Sequence, residues 1–211
     1  LDMFRPEHLF AQRNILSLAR TEGSEPILSG MLEVSEEYLN FFTTGRPFKP
    51  DFSTNFPAKL LTTRLDLHDL VLDPHVLSEL SELWSWVEHQ EKIMTEWGLA
   101  RHLKRGYRAL FYGPPGTGKS LTATLIGKRM GLDVYRIDLS QVVSKYIGET
   151  EKNLSSIFDQ AENKGWILFF DEADALFGKR TATSDAKDRH ANQEVSYLLQ
   201  RIEDYSGVVV L

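Results

Sequence analysis

The stretch that most constrains this chain is LFYGPPGTGKSLTATLIGKRMG, residues 110–131. An apolar run enters it and an amphipathic run leaves it, so it reads as a strand, a tight loop and a helix that ends at Gly131. Within it, GPPGTGKS, Gly113 to Ser120, fits the spacing G-x-x-x-x-G-K-[ST]. Glycines at such positions let the backbone take positive φ and approach a ligand closely. Successive N–H groups then turn toward one point, and the start of the following helix adds its partial positive charge. That arrangement is a cradle for a polyphosphate, with Lys119 reaching the outer phosphates and the Ser120 hydroxyl placed for Mg²⁺. Average residue usage produces the pattern by chance roughly once per hundred chains of this size. Its seat between a strand and a helix is a further condition that chance seldom meets.

A second stretch, ILFFDEAD at residues 167–174, completes the thought. Four apolar residues commit a strand to the interior of a sheet. Its C-terminal end then carries Asp171 and Glu172 to the rim where ligands bind in open α/β folds. Asp171 is placed to hold the Mg²⁺ shell, directly or through water. Glu172 is placed to orient and deprotonate a water attacking the terminal phosphate. An acidic pair after a strand would, alone, read as an exposed turn; beside a phosphate loop it reads as the other half of one site.

Strand and helix alternate through the rest of this region. Asp73 and Pro74 open a helix as N-cap and first position. Val76, Leu77, Leu80, Leu83, Trp84 and Val87 recur along it at three- and four-residue steps. DVYRID at residues 133–138 and VVVL at residues 208–211 are further strands. Helices are expected after Thr150, with Leu154, Ile157, Phe158 and Ala161 on one face, and over residues 192–207. The fold class is therefore α/β, a doubly wound parallel sheet flanked by helices over residues 64–211. Residues 1–63 form an N-terminal segment, part helical and part extended, docked on that core. There EHLFAQRNILSLAR suggests a helix and VSEEYLNFFTTG a short helix stopped by Gly45. The three prolines of RPFKPDFSTNFPAKLL keep that run extended.

Composition narrows the function classes. The 211 residues carry 24 Lys and Arg against 30 Asp and Glu, a net charge of −6. There is no basic footprint of the kind that duplex binding needs. With no cysteine, disulfides, thiolate metal sites and cysteine nucleophiles are excluded. The six histidines show no metal-ligand spacing. No apolar stretch nears the roughly 20 residues that span a bilayer, and the first residues are not a signal peptide, which sets the expectation of a cytoplasmic protein. Leu1 in place of a methionine, and a stop inside the strand-like VVVL, suggest a piece of a longer chain.

GPPGTGKS and ILFFDEAD together resemble the AAA+ ATPases, which are P-loop NTPases by fold, and the double proline is similar to the AAA clade of protein-remodelling members. SKYIGETEKNLSSIF, residues 144–158, is similar to that clade's pore-loop region, and the resemblance covers roughly residues 63–211. It implies ATP and Mg²⁺ as cofactors. Nucleotide contacts would come from Gly113, Pro114, Pro115, Gly116, Thr117, Gly118, Lys119, Ser120 and Leu121. Metal contacts would come from Ser120 and Asp171, with Glu172 as the catalytic residue. Tyr146, flanked by Lys145 and Ile147, would grip a polypeptide in the channel of a ring, since one aromatic and one aliphatic residue can intercalate between the side chains of any extended peptide.

The resemblance also implies backbone contacts to adenine from Asp69 and Leu70 in DLHDLVL, although the family's usual glycine pair is absent here. Residues 179–192 read equally as a second channel-facing loop or as a plain solvated loop. A polar sensor, arginine fingers and a helical lid would follow Leu211; Arg189 and Arg201 match no finger motif. GYRALFYGPPGTGKS and DRHANQEVSYLLQRIEDYSG are similar to bacterial AAA ATPases of a stand-alone type, some of which accompany contractile injection particles.

The resulting expectation is an ATP-driven machine that remodels, unfolds or disassembles a protein client through the pore of a homo-oligomeric ring, a hexamer by resemblance. The alternative is a nucleotide-gated assembly factor that scaffolds a larger particle without threading, which needs only different ATP affinities in two states. A nucleic-acid motor is disfavoured by the acidic balance.

Overall fold

A computed structural model describes residues 5, 8–12, 15–19, 29–46, 49–50, 52–53, 56–139, 149–174 and 186–211, with the side chains of 36, 149–153 and 186–194 outside the description. The chain divides into two units, Leu1–Pro50 and Asp51–Leu211. The smaller unit holds α1 (Leu9–Gln12), β1 (Leu16–Leu18), β2 (Leu32–Val34) and α2 (Glu36–Thr44). β1 and β2 pair antiparallel, Leu16 opposite Val34 and Leu18 opposite Leu32. The helix expected over residues 7–20 thus gives way to a strand. Leu16 and Leu18 fall two apart, which is a strand period and not a helical one. α2 stops as expected, with Gly45 at φ 69° and its N–H donating to the Phe41 carbonyl at 2.8 Å.

The larger unit contains β3 (Ala58–Leu61), α3 (Pro74–Thr95), β4 (Tyr107–Ala109), α4 (Lys119–Met130), β5 (Val134–Asp138), α5 (Glu149–Lys164), β6 (Ile167–Asp171), α6 (Ala186–Asp204) and β7 (Val208–Val210). Its sheet runs β3-β5-β6-β7-β4, with β5, β6, β7 and β4 parallel and β3 antiparallel on the edge of β5. This is the α/β fold of P-loop NTPases with one antiparallel strand added. No helix among the described residues is long and apolar enough to cross a membrane.

The boundary expected at residue 63 moves to Asp51. The run expected to be extended does not end before the sheet; its described end, Ala58–Leu61, becomes part of it. Ala58 is buried opposite Ile137, and the Phe56 ring stands edge-on to Tyr135 and Trp166, with centroids 5.6 and 6.1 Å away. An extended run finds unpaired N–H and C=O groups along β5, and pairing satisfies both.

Alternate residues of β6 enter two cores. Leu168 and Phe170 join Leu154, Ile157, Phe158 and Ala161 of α5 and Leu198 and Ile202 of α6. Ile167 and Phe169 join Ala123 and Ile126 of α4 and Leu80 and Leu83 of α3. Each such buried side chain contributes about 1.5–3 kcal/mol, so the strand is anchored from both faces and its end is held in place. α3 starts where Asp73 accepts the His75 N–H at 2.8 Å. Leu80 and Leu83 of its expected apolar face are buried, whereas Val76 and Leu77 in its first turn are 38% and 40% exposed.

Two contacts seat the elements around the glycine loop. A Cβ on Gly127 would collide with Val134 Cγ2 and stand 2.7 Å from the Leu132 carbonyl oxygen. Close packing of α4 on the sheet therefore requires glycine there, despite a cost of about 1 kcal/mol relative to alanine inside a helix. Arg108 in β4 reaches the last turn of α6. Its Nε and Nη2 donate to the Ile202 carbonyl at 2.9 and 2.6 Å, and Nη2 also donates to the carbonyls of Glu203 and Tyr205. A cation meets the unpaired carbonyls and negative end of a helix, and burial pulls this guanidinium below the ordinary arginine pKa.

Candidate functional site

β4 hands the chain to the loop while still paired to β7. The Leu211 N–H donates to the Ala109 carbonyl at 2.9 Å, and the Phe111 N–H to the Leu211 carbonyl at 2.7 Å. Beyond Tyr112 the backbone leaves the sheet, and Gly113, Gly116 and Gly118 take φ of 143°, 83° and 90°. A Cβ on Gly116 or Gly118 would meet nothing within 4 Å. Glycine is needed at those two positions for the backbone angle and not for room inside the protein.

The loop is braced from within. Thr117 Oγ1 donates to the Pro114 carbonyl at 2.9 Å, and Lys119 Nζ donates to the carbonyls of Gly113 and Pro114 at 2.8 and 2.9 Å. Lys119, Ser120 and Leu121 form the first turn of α4, where N–H groups have no intrahelical acceptor. An ammonium, a helix N-terminus and a turn of positive-φ glycines converge, a donor set that fits an anion with several oxygens. Beside the loop, a cleft of about 670 Å³ opens between α3 and β4. Leu72, Val76 and Phe111 form its apolar wall, and Thr117 and Lys119 border it at the loop.

The other half of the expected site lies at the end of β6. Alternation along the strand puts Asp171 on the face of Ile167 and Phe169, the face packed against α4. Both carboxylate oxygens are engaged. Oδ1 accepts the Glu172 N–H at 3.1 Å, and Oδ2 lies 2.8 Å from Arg136 Nη2. Glu172 stands at φ 57°, the one positive φ outside glycine among the described residues. A left-handed glutamate costs about 1–2 kcal/mol, and strain of this kind gathers at functional positions. It also turns Glu172 out of the strand's alternation at the rim. The Ser120 hydroxyl and the Asp171 carboxylate are oxygen donors of the kind Mg²⁺ accepts.

Arg136 had no place in the sequence reading. Its only signal was a basic residue inside the otherwise apolar start of VYRID, and its partner belongs to another strand. Asp69 and Leu70 sit at the end of a 3₁₀ turn, Leu67–Asp69. Their N–H groups are taken by the carbonyls of Asp66 and Leu67 at 3.0 and 3.2 Å. Backbone contacts to a base from these two residues would therefore fall to their carbonyls. Lys128 of α4 ties this strip to the loop's own helix, donating to the Leu65 carbonyl at 2.9 Å and the Asp66 carboxylate at 2.6 Å. That hydrogen bond and charge hold Asp66 below the usual carboxylate pKa.

Lys145, Tyr146 and Ile147 lie outside the described residues, as do residues 179–185 of the second loop. Arg201 is committed within the chain: it pairs with Asp159 at 2.6 Å and lies over the Phe158 ring at 5.2 Å.

The sequence profile of the family described as "ATPase family associated with various cellular activities (AAA)" matches residues 109–211. The chain is 37% identical over 102 residues to an uncharacterized AAA family ATPase, y4kL, of Sinorhizobium fredii, which covers 48% of this chain and 30% of that protein. It is 35% identical over 113 residues to the peroxisomal ATPase PEX6 of Candida glabrata, covering 52% and 11% of the two chains. It is 26% identical over 178 residues to the ATP-dependent zinc metalloprotease FtsH of Lachnoclostridium phytofermentans, covering 82% and 30%. The chain thus spans less than a third of the length of these curated relatives. The matched region opens in β4 and takes in the glycine loop, α4 and every strand from β5 through β7, so residues 109–211 are similar to the ATPase domain of that family.

Proposed function

We propose that this protein binds ATP with Mg²⁺ and hydrolyses it, and that turnover drives the remodelling, unfolding or disassembly of a protein client by a ring of subunits. One observation carries the reading: Asp171 stands on the sheet face packed against α4, the helix that begins at Lys119, so carboxylate and phosphate cradle serve one side of the sheet. The phosphates take the N–H groups of residues 116–121, with Gly113, Pro114, Pro115 and Thr117 shaping the turn. Lys119 exchanges the carbonyls of Gly113 and Pro114 for phosphate oxygens. The apolar wall of the cleft suits the base.

Ser120 and Asp171 would hold Mg²⁺, which would supply positive charge against the phosphate oxygens. Glu172 then accepts a proton from the attacking water, a role that needs a carboxylate turned out at the rim. Ring assembly and a protein client rest on the likeness of residues 144–158 to the pore-loop region of the AAA clade, with Tyr146 as the gripping residue and Lys145 and Ile147 beside it.

Mg²⁺-dependent phosphate release by the wild-type protein and by Glu172→Gln tests the catalytic assignment. The variant should bind ATP as before and lose turnover by about 100-fold or more. Equal turnover removes Glu172 from the chemistry.

A further inference from the structure

We infer that Arg136 is a positioning residue for the Asp171 carboxylate, and that it raises the Mg²⁺ concentration at which the site takes up nucleotide. The inference rests on the nucleotide reading above. Arg136 Nη2 lies 2.8 Å from Asp171 Oδ2, the two side chains being 41% and 25% exposed. With the Glu172 N–H on Oδ1, the carboxylate is oriented by one donor on each oxygen. Arg136 follows Val134 on the face of β5 that packs against α4, so its guanidinium shares the side of the sheet on which the phosphate loop begins.

A divalent cation at Asp171 has to share this carboxylate with a fixed positive charge. Oppositely charged partners at this distance favour each other, and a cation added beside them is repelled by the guanidinium even through water-like dielectric. Arg136 Nε is buried and has no hydrogen-bond partner among the described residues. The guanidinium is therefore not saturated by its own strand, and Asp171 is the carboxylate that anchors it. Asp138, the Cα partner of Asp171 across the two strands, places a further carboxylate at the same register on the rim.

The test is binding of a fluorescent ATP analogue as Mg²⁺ is titrated, for the wild type, Arg136→Met, Arg136→Gln and Arg136→Lys, with affinity in EDTA and thermal unfolding recorded alongside. The Met and Gln variants should reach half-saturation at about three- to tenfold lower Mg²⁺, as removal of a unit charge beside a divalent site predicts after solvent and salt screening. The Lys variant should stay near the wild type, and affinity in EDTA should not move. Use of both Met and Gln keeps the result readable if one of them fails to fold. A lowered melting temperature with an unchanged or raised Mg²⁺ midpoint overturns the inference and leaves the nucleotide reading intact. A wild type that binds no nucleotide at any Mg²⁺ concentration overturns that reading, and this inference with it.

Discussion

The guanidinium of Arg108 donates two hydrogen bonds to the carbonyl of Ile202. One residue thereby joins the strand that leads into the phosphate loop to the helix that follows the β6 carboxylates. Arg108→Met should destabilise the larger unit by about 1–3 kcal/mol, the cost of leaving part-buried carbonyls unpaired. Arg108→Lys should recover only part of that, because an ammonium lacks the planar fork that meets several carbonyls at once. Urea unfolding of the three proteins checks both statements.

Gly127 is the second structural prediction. Valine there drives methyl groups into Val134 and the Leu132 carbonyl, where even a Cβ is too close. Gly127→Val should cost about 3 kcal/mol, at the upper end of overpacking penalties, or prevent folding. Gly127→Ala should also destabilise, although alanine favours helix by about 1 kcal/mol on intrinsic grounds. Thermal unfolding with a stabilised Gly127→Ala would show that α4 sits further from the sheet than described.

Tyr146 separates threading from scaffolding. Tyr146→Ala should leave ATP turnover within about twofold of the wild type, because the proposed pore-loop role lies outside phosphoryl transfer, while abolishing work on a protein client. Client processing that survives the change makes Tyr146 a packing residue and favours the nucleotide-gated scaffold.

What was legible in the sequence follows from the range of each interaction. The start of α3 at Asp73 and Pro74, the stop of α4 at Gly131, the glycine loop and the apolar run Ile167–Phe170 of β6 are set by residues adjacent in the chain. The edge strand was not legible, because Phe56 and Ala58 acquire meaning only against Tyr135, Ile137 and Trp166. The strand at Leu16–Leu18 was masked by a helix-like spacing just before it. Arg136 was missed for the reason that hid β3: its carboxylate partner lies on the neighbouring strand. Helix α6 begins at Ala186, ahead of the expected residue 192, since its first turns are charged and carry no apolar period.

Calorimetric titration of the chain with ATP in the presence of Mg²⁺ tests the central claim most directly, with Lys119→Ala as the paired variant. The predicted result is a single site in the wild type and an affinity about 10- to 100-fold weaker in the variant, the worth of one charge-assisted contact. No binding by the wild type, or equal affinity in the two proteins, contradicts the account.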